Sequence, residues 1–220
     1  MTGVYRIYPK RKKNFFSSMS INTILIAVNV ILFLIFFNQG FIEKFIALDP
    51  FYILNGSFLW TFLTSMFMHA NFLHLFVNMF SLMFVGSLVE KILGPKRYFW
   101  FYLLSGLFAG LFFVLAYLFA GNLNLHVPAV GASGALFGLI GFLMLVTPNL
   151  PVYVMFIPIP IKMKYAAPGM LIILWLISRV GNIPIGNAAH LGGLIAGLGY
   201  GLYLRKAYKN KIRLISRHFS

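Results

Sequence analysis

Apolar residues along this chain do not alternate, and for the most part they do not form one-sided stripes. They come in near-continuous runs broken by short polar or basic stretches. A hydrocarbon core about 30 Å thick needs roughly 20 apolar residues per helix. Six runs fit that need, at about 21–38, 72–90, 98–120, 131–147, 166–181 and 188–204. The fifth is short and is read as opening near Pro168, where a first helical turn tolerates proline. The run 150–161 is interrupted by prolines and is only about a dozen residues long, so it is expected as a surface loop. The first connection, 39–71, is apolar for a loop and is expected to lie in or against the membrane interface.

Composition sharpens this pattern. Sixty per cent of the 220 residues are hydrophobic and ten per cent are charged. Mean hydropathy is +0.89. No soluble domain of this size could hide so much apolar surface, so the expectation is a polytopic, all-α membrane protein. Its domain plan is a basic segment 1–20, a six-helix membrane domain 21–204 and a basic tail 205–220. The basic N-terminal segment leads into a run of spanning length with no small-residue cleavage site, and is read as cytoplasmic rather than as a signal peptide. There is no cysteine, so thiol chemistry is excluded.

The net charge of +15 could suggest nucleic acid, but the charges sit at helix ends, where anionic lipid headgroups are the expected partner. With both termini placed inside, sixteen of the eighteen Lys and Arg residues face the cytoplasm, and only Lys44 and Arg179 fall outside. That asymmetry favours six spans with both ends cytoplasmic, in a cell membrane.

The polar residues within these runs share one level. Span two opens with His69, His74 and Asn78, span four with Ser133, and span six with Asn187 and His190. All three spans run from outside to inside in this topology. At 1.5 Å per residue their polar residues lie about 3–10 Å below the outer surface. Ionisable residues at such depth are costly and usually functional. His74 and Asn78 are four apart and share a helix face. Gly134, Gly138 and Gly141 on span four and Gly193, Gly197 and Gly201 on span six have the small-residue spacing that lets helices approach closely. If those faces meet, Ser133 and His190 come together.

A serine hydroxyl is a weak nucleophile until a base takes its proton. His190 is the candidate base, while His74, Asn78 and the Ser133 backbone N–H are candidate donors to an oxyanion. The only acids are Glu43, Asp49 and Glu90. None is expected at this level, so the reading is a Ser–His dyad in which packing or a neutral bond orients the histidine. Zinc on His69, His74 and His190 is disfavoured. There is no HExxH motif and no carboxylate to act as base, and His69 and His74 point apart on a regular helix. No cofactor is called for.

The motifs Gly131-Ala132-Ser133-Gly134, Ala189-His190-Leu191-Gly192-Gly193 and His74-xxx-Asn78, with His69 five residues before His74, resemble those of rhomboid intramembrane serine proteases. The match covers roughly residues 21–204. The resemblance implies a compact six-helix bundle, a water-filled cavity open to the outside, and hydrolysis of transmembrane protein substrates near their outer ends. It also implies that the first loop shapes substrate access. Gly131 and Gly134 then give backbone and substrate room, and Trp60 and His69 are supports. Two positions depart from the family's pattern. Thr61 follows Trp60 where the family often has arginine, and Phe137 stands where a tyrosine can stack on the catalytic histidine. The ring is kept, so stacking is expected to survive. His126 and His218 are given no role. The rival readings are an inactive rhomboid-like protein that binds membrane segments, and a transporter or channel with a polar outer layer. Retention of both Ser133 and His190 argues against the first. The lack of a matching polar set through the cytoplasmic half argues against the second.

Overall fold

The computed structural model describes residues 19–37, 43–121, 126–154, 159–181 and 186–219. The main helices are α1 (Ile21–Phe36), α5 (Phe72–Ser81), α6 (Ser87–Leu93), α7 (Pro95–Phe119), α8 (Ser133–Val146), α9 (Met163–Val180), α10 (Asn187–Ala207) and α11 (Lys209–His218). Between α1 and α5 lie three short helices, α2 (Glu43–Ile46), α3 (Pro50–Leu54) and α4 (Thr61–Thr64), and a 3₁₀ turn at Ser65–Phe67. The continuous helix Phe72–Leu93, with α7 and α9, is long and apolar enough to cross a membrane, whereas α1 and α8 are apolar but shorter.

The centre of the molecule is formed by α7, α8 and α10, each packed on the other two. Glycine sets its geometry. A Cβ on Gly193 would strike the Gly134 carbonyl, one on Gly197 the Gly138 carbonyl, and one on Gly201 would lie 3.5 Å from the Phe142 carbonyl. These pairs climb both helices in the same direction in four-residue steps, so α8 and α10 run parallel with backbones in contact. α7 runs the other way: Ala109 faces Gly134, Ser105 faces Gly138, and the Phe101 ring meets Phe142 at 5.5 Å. In lipid no hydrophobic drive brings one apolar helix to another, so close backbone approach supplies van der Waals contact instead. Nearly every residue of α8 is buried in consequence.

α1 is tied to the bundle by polar groups that replace water as partners. The Glu90 carboxylate accepts from the backbone N–H groups of Ile21 (2.9 Å) and Asn22 (3.0 Å), two donors that a helix start leaves open. The buried Asn22 amide donates to the Leu82 carbonyl at 2.9 Å and to Ser87 Oγ at 3.0 Å, and its oxygen accepts from the Tyr98 hydroxyl at 2.6 Å. Leu82–Gly86 is a π-helical turn between α5 and α6. Such a turn sets carbonyls out of the regular ladder, and the Leu82 carbonyl is the one Asn22 uses.

Two expectations change. α9 begins at Met163, so Pro168 lies inside the helix rather than in its first turn. The proline has no N–H to give the Lys164 carbonyl. The run expected as a loop at 150–161 begins a two-residue antiparallel ladder, Pro151–Val152 with Ile161–Lys162, and its residues 155–158 lie outside the described residues. The basic tail holds the amphipathic helix α11, whose Ile212 is buried in the main core cluster.

Candidate active site

Ser133 is the first residue of α8, and His190 lies in the first turn of α10. The glycine contacts lock these two helices in parallel register, so the two side chains meet. His190 Nε2 and Ser133 Oγ are 2.8 Å apart. The hydroxyl must donate if Nε2 is to act as base, which places the imidazole proton on Nδ1. His190 is 7% exposed, and its Nδ1 has no hydrogen-bond partner among the described residues. Its orientation comes from packing: the Phe137 ring, one turn beyond Ser133, stacks on the imidazole at 4.6 Å and 23°. The structure thus brings Ser133 and His190 together and keeps an aromatic ring stacked on the imidazole.

Gly131 stands at the entrance. Its φ of +127° is a conformation that side-chain-bearing residues rarely adopt, and a Cβ there would lie 2.8 and 2.9 Å from His74 Cε1 and Nε2. The same point is 3.7 Å from Ser133 Oγ. His74 and Ser133 therefore flank one small space that only glycine keeps open. The first N–H groups of α8 have no partner within the helix; the earliest intrahelical bond there is from Leu136 to the Ala132 carbonyl. The Ser133 N–H is thus positioned at a helix start, where negative charge is favoured. Gly134 lies against Ala109 of α7, which makes it a packing residue.

His74 is placed by its own helix start: Asn71 caps α5, its side chain accepting from the His74 N–H at 2.8 Å. Asn78 is buried, but the hydrogen bond recorded for its amide runs to the His74 carbonyl at 2.8 Å, inside the helix. One amide hydrogen is left for other use. His69 is buried with its ring edge-on to His74 at 5.1 Å, and neither ring nitrogen has a partner among the described residues. No cluster of three metal-ligating side chains occurs among the described residues.

The first loop reaches the site through its backbone. Leu48 and Ala129 exchange hydrogen bonds at 3.0 and 2.9 Å, and the Gly131 N–H donates to the Ser65 carbonyl at 2.8 Å. Trp60 Nε1 donates to the Phe45 carbonyl at 2.9 Å, and the neighbouring threonines fasten the same loop: Thr61 to the Phe58 carbonyl at 2.7 Å, Thr64 to the Ile46 carbonyl at 2.9 Å. Thr61, in the position where arginine is frequent, is fully buried and bonds locally. Sequence reasoning missed one tie. His126 Nδ1 lies 2.8 Å from Asp49 Oδ2, beside the Leu48–Ala129 exchange. Seventy-seven residues separate the pair, and no local pattern announces it.

The model of the Rhomboid domain matches residues 57–207. The chain is 30% identical over 179 residues to Rhomboid protein 1, mitochondrial, of Saccharomyces cerevisiae, covering 78% of this chain and 48% of the yeast protein. It is 34% identical over 141 residues to Inactive RHOMBOID-like protein 8 of Arabidopsis thaliana, covering 63% of this chain and 36% of that protein. It is 31% identical over 142 residues to Rhomboid protease GluP of Bacillus subtilis, covering 63% of this chain and 24% of that protein. The chain thus spans less than half the length of these relatives, which include a protease, an inactive protein and a mitochondrial one. On the extent of the domain match and the similarity to these relatives, the chain belongs to the rhomboid family.

Proposed function

We propose that this protein is an intramembrane serine endopeptidase, hydrolysing peptide bonds of transmembrane proteins near the outer membrane face with Ser133 and His190 and without metal or cofactor. The observation that carries this reading is the 2.8 Å approach of Ser133 Oγ to a buried, ring-stacked His190. An inactive relative would have no need to hold a serine and a histidine in that geometry. The reading includes six spans with both ends cytoplasmic, the arrangement that puts sixteen of eighteen basic residues inside. Family membership places the chain in a membrane without naming which, since two relatives carry mitochondrial names.

The chemistry follows from the atoms present. Ser133 Oγ attacks the scissile carbonyl as its proton passes to His190 Nε2. The oxyanion that forms takes hydrogen bonds from the Ser133 N–H and the His74 ring, with the remaining Asn78 amide hydrogen as a further donor. His190 then gives its proton to the leaving amine, and the C–N bond breaks to leave an acyl ester on Ser133. A water, deprotonated by His190, hydrolyses that ester and restores the hydroxyl. With no acid on Nδ1, stacking on Phe137 has to hold the ring through both proton transfers.

The test is cleavage of a single-span substrate in proteoliposomes. Ser133→Ala and His190→Ala should each lower the rate by about 10⁴-fold or more. The rate should also fall as pH drops, because a protonated His190 cannot accept the serine proton. Undiminished cleavage by Ser133→Ala would sink the proposal.

A further inference from the structure

A groove of about 610 Å³ runs along the seam between α7 and α10 and shares no residue with the dyad. One wall is a row of three residues at four-residue spacing on α7, Trp100, Leu104 and Phe108, all exposed. The other wall is Ala196 and Tyr200 of α10. Small residues make the trough. Ala196 has only a methyl to fill it, and a Cβ on nearby Gly199 would meet nothing within 4 Å. At one end the groove is closed by two exposed cations, Lys96 and Arg97, in the first turn of α7. Neither forms an ion pair among the described residues, and the nearest acid in sequence, Glu90, is engaged by the backbone of Ile21 and Asn22.

We infer that this groove binds an anionic phospholipid, with the headgroup phosphate on Lys96 and Arg97 and one acyl chain along Trp100, Leu104 and Phe108. Three features select that occupant. From Arg97 to Phe108 is eleven residues of helix, about 16 Å at 1.5 Å per residue, which is about half the thickness of a hydrocarbon core and so the depth of one leaflet. Apart from Ser105 and the Tyr200 hydroxyl, the lining is apolar over that depth and cationic at one end, the polarity pattern of a single lipid. In the proposed orientation the cationic end faces the cytoplasm, where anionic lipid attracts basic residues at the membrane surface. A transmembrane protein segment would fill the trough equally well but would have no use for paired cations at its end. The inference rests on the membrane orientation proposed above, not on the protease chemistry.

Trp100 supplies the readout. In a Trp60→Phe, Trp175→Phe protein, Trp100 is the remaining indole. Its fluorescence in mixed micelles should be quenched more by brominated phosphatidylglycerol than by brominated phosphatidylcholine. That preference should fall about fivefold for each charge removed in Lys96→Gln and Arg97→Gln. Ala196→Phe, which fills the trough and keeps both charges, should reduce quenching by either lipid. Native mass spectrometry of the unsubstituted chain gives a second measure, with phosphatidylglycerol retained over phosphatidylcholine and the preference lost in the double Gln variant. Equal quenching by both lipids, or a preference that survives in the double Gln variant, overturns the inference. Because both measurements are made without substrate, they can fail while proteolysis stands, and the reverse.

Discussion

Two helices that both touch α8 are held in opposite ways. α10 lies on α8 backbone to backbone, through Gly193, Gly197 and Gly201. α9 has three buried residues, Met163, Ala166 and Ala167, all in its first turns; beyond them Met170, Leu171 and Leu174 are only half-buried against the core, and the rest of its large side chains face outward, with Ile172 59%, Trp175 50% and Val180 86% exposed. The difference follows from sequence. α10 places small residues every fourth position, so its backbone can approach. α9 turns Met170, Leu171 and Leu174 toward the core in place of glycines and has a proline at 168, so it cannot sit as close. The helix that brings the base to the nucleophile is thus the one fixed most rigidly, and a neighbouring helix is left with few ties. That division suits the proposed protease, which would have to keep a 2.8 Å contact while admitting a bulky substrate.

This comparison can be broken at several points. The largest effect should come from Gly197→Val, whose side chain would strike the Gly138 carbonyl. Neither helix backbone can yield without moving His190, so a loss of about 3 kcal/mol is expected. Chemical denaturation in detergent, together with loss of serine labelling, measures it. Unchanged stability in Gly197→Val would mean that the two helices are not in backbone contact. A smaller effect is expected from Glu90→Ala. It frees the two N–H groups at the start of α1, for a cost of about 1–2 kcal/mol with the dyad intact. A stability loss accompanied by loss of the dyad's reactivity would contradict the separation of these roles. The smallest should be Ile172→Ala on the outward face of α9, within about 0.5 kcal/mol of the parent. A loss comparable to that of Gly197→Val would show that α9 is held as firmly as α10.

The two regions also differ in how far the sequence revealed them. The dyad was legible because Ser133 and His190 are polar residues in apolar runs, flanked by glycines whose spacing brings those runs together. Phe137 was legible only through the resemblance, which sets an aromatic ring one turn after the serine. The binding of α1 was not. Glu90 reads as an acid at a helix end, and only the folded chain shows it accepting the N–H groups of residues 68 and 69 positions earlier. The π turn at Leu82–Gly86 is equally hidden, since its partner is Asn22 and nothing in "LMFVG" requires it. Pro168 was placed in a first turn because proline is favoured there, and the helix instead starts five residues earlier, where Met163 is buried. Asn78 matched the motif, yet the bond its amide makes is to its own helix, a competition that residue spacing does not reveal.

The central claim is that His190 activates Ser133. Reaction of the purified protein with a fluorophosphonate, followed by mass spectrometry of the adduct, tests it most directly. The account predicts a single adduct on Ser133, absent in Ser133→Ala and in His190→Ala. A folded protein that stays unlabelled by fluorophosphonate and isocoumarin alike, or one labelled equally with and without His190, would contradict it.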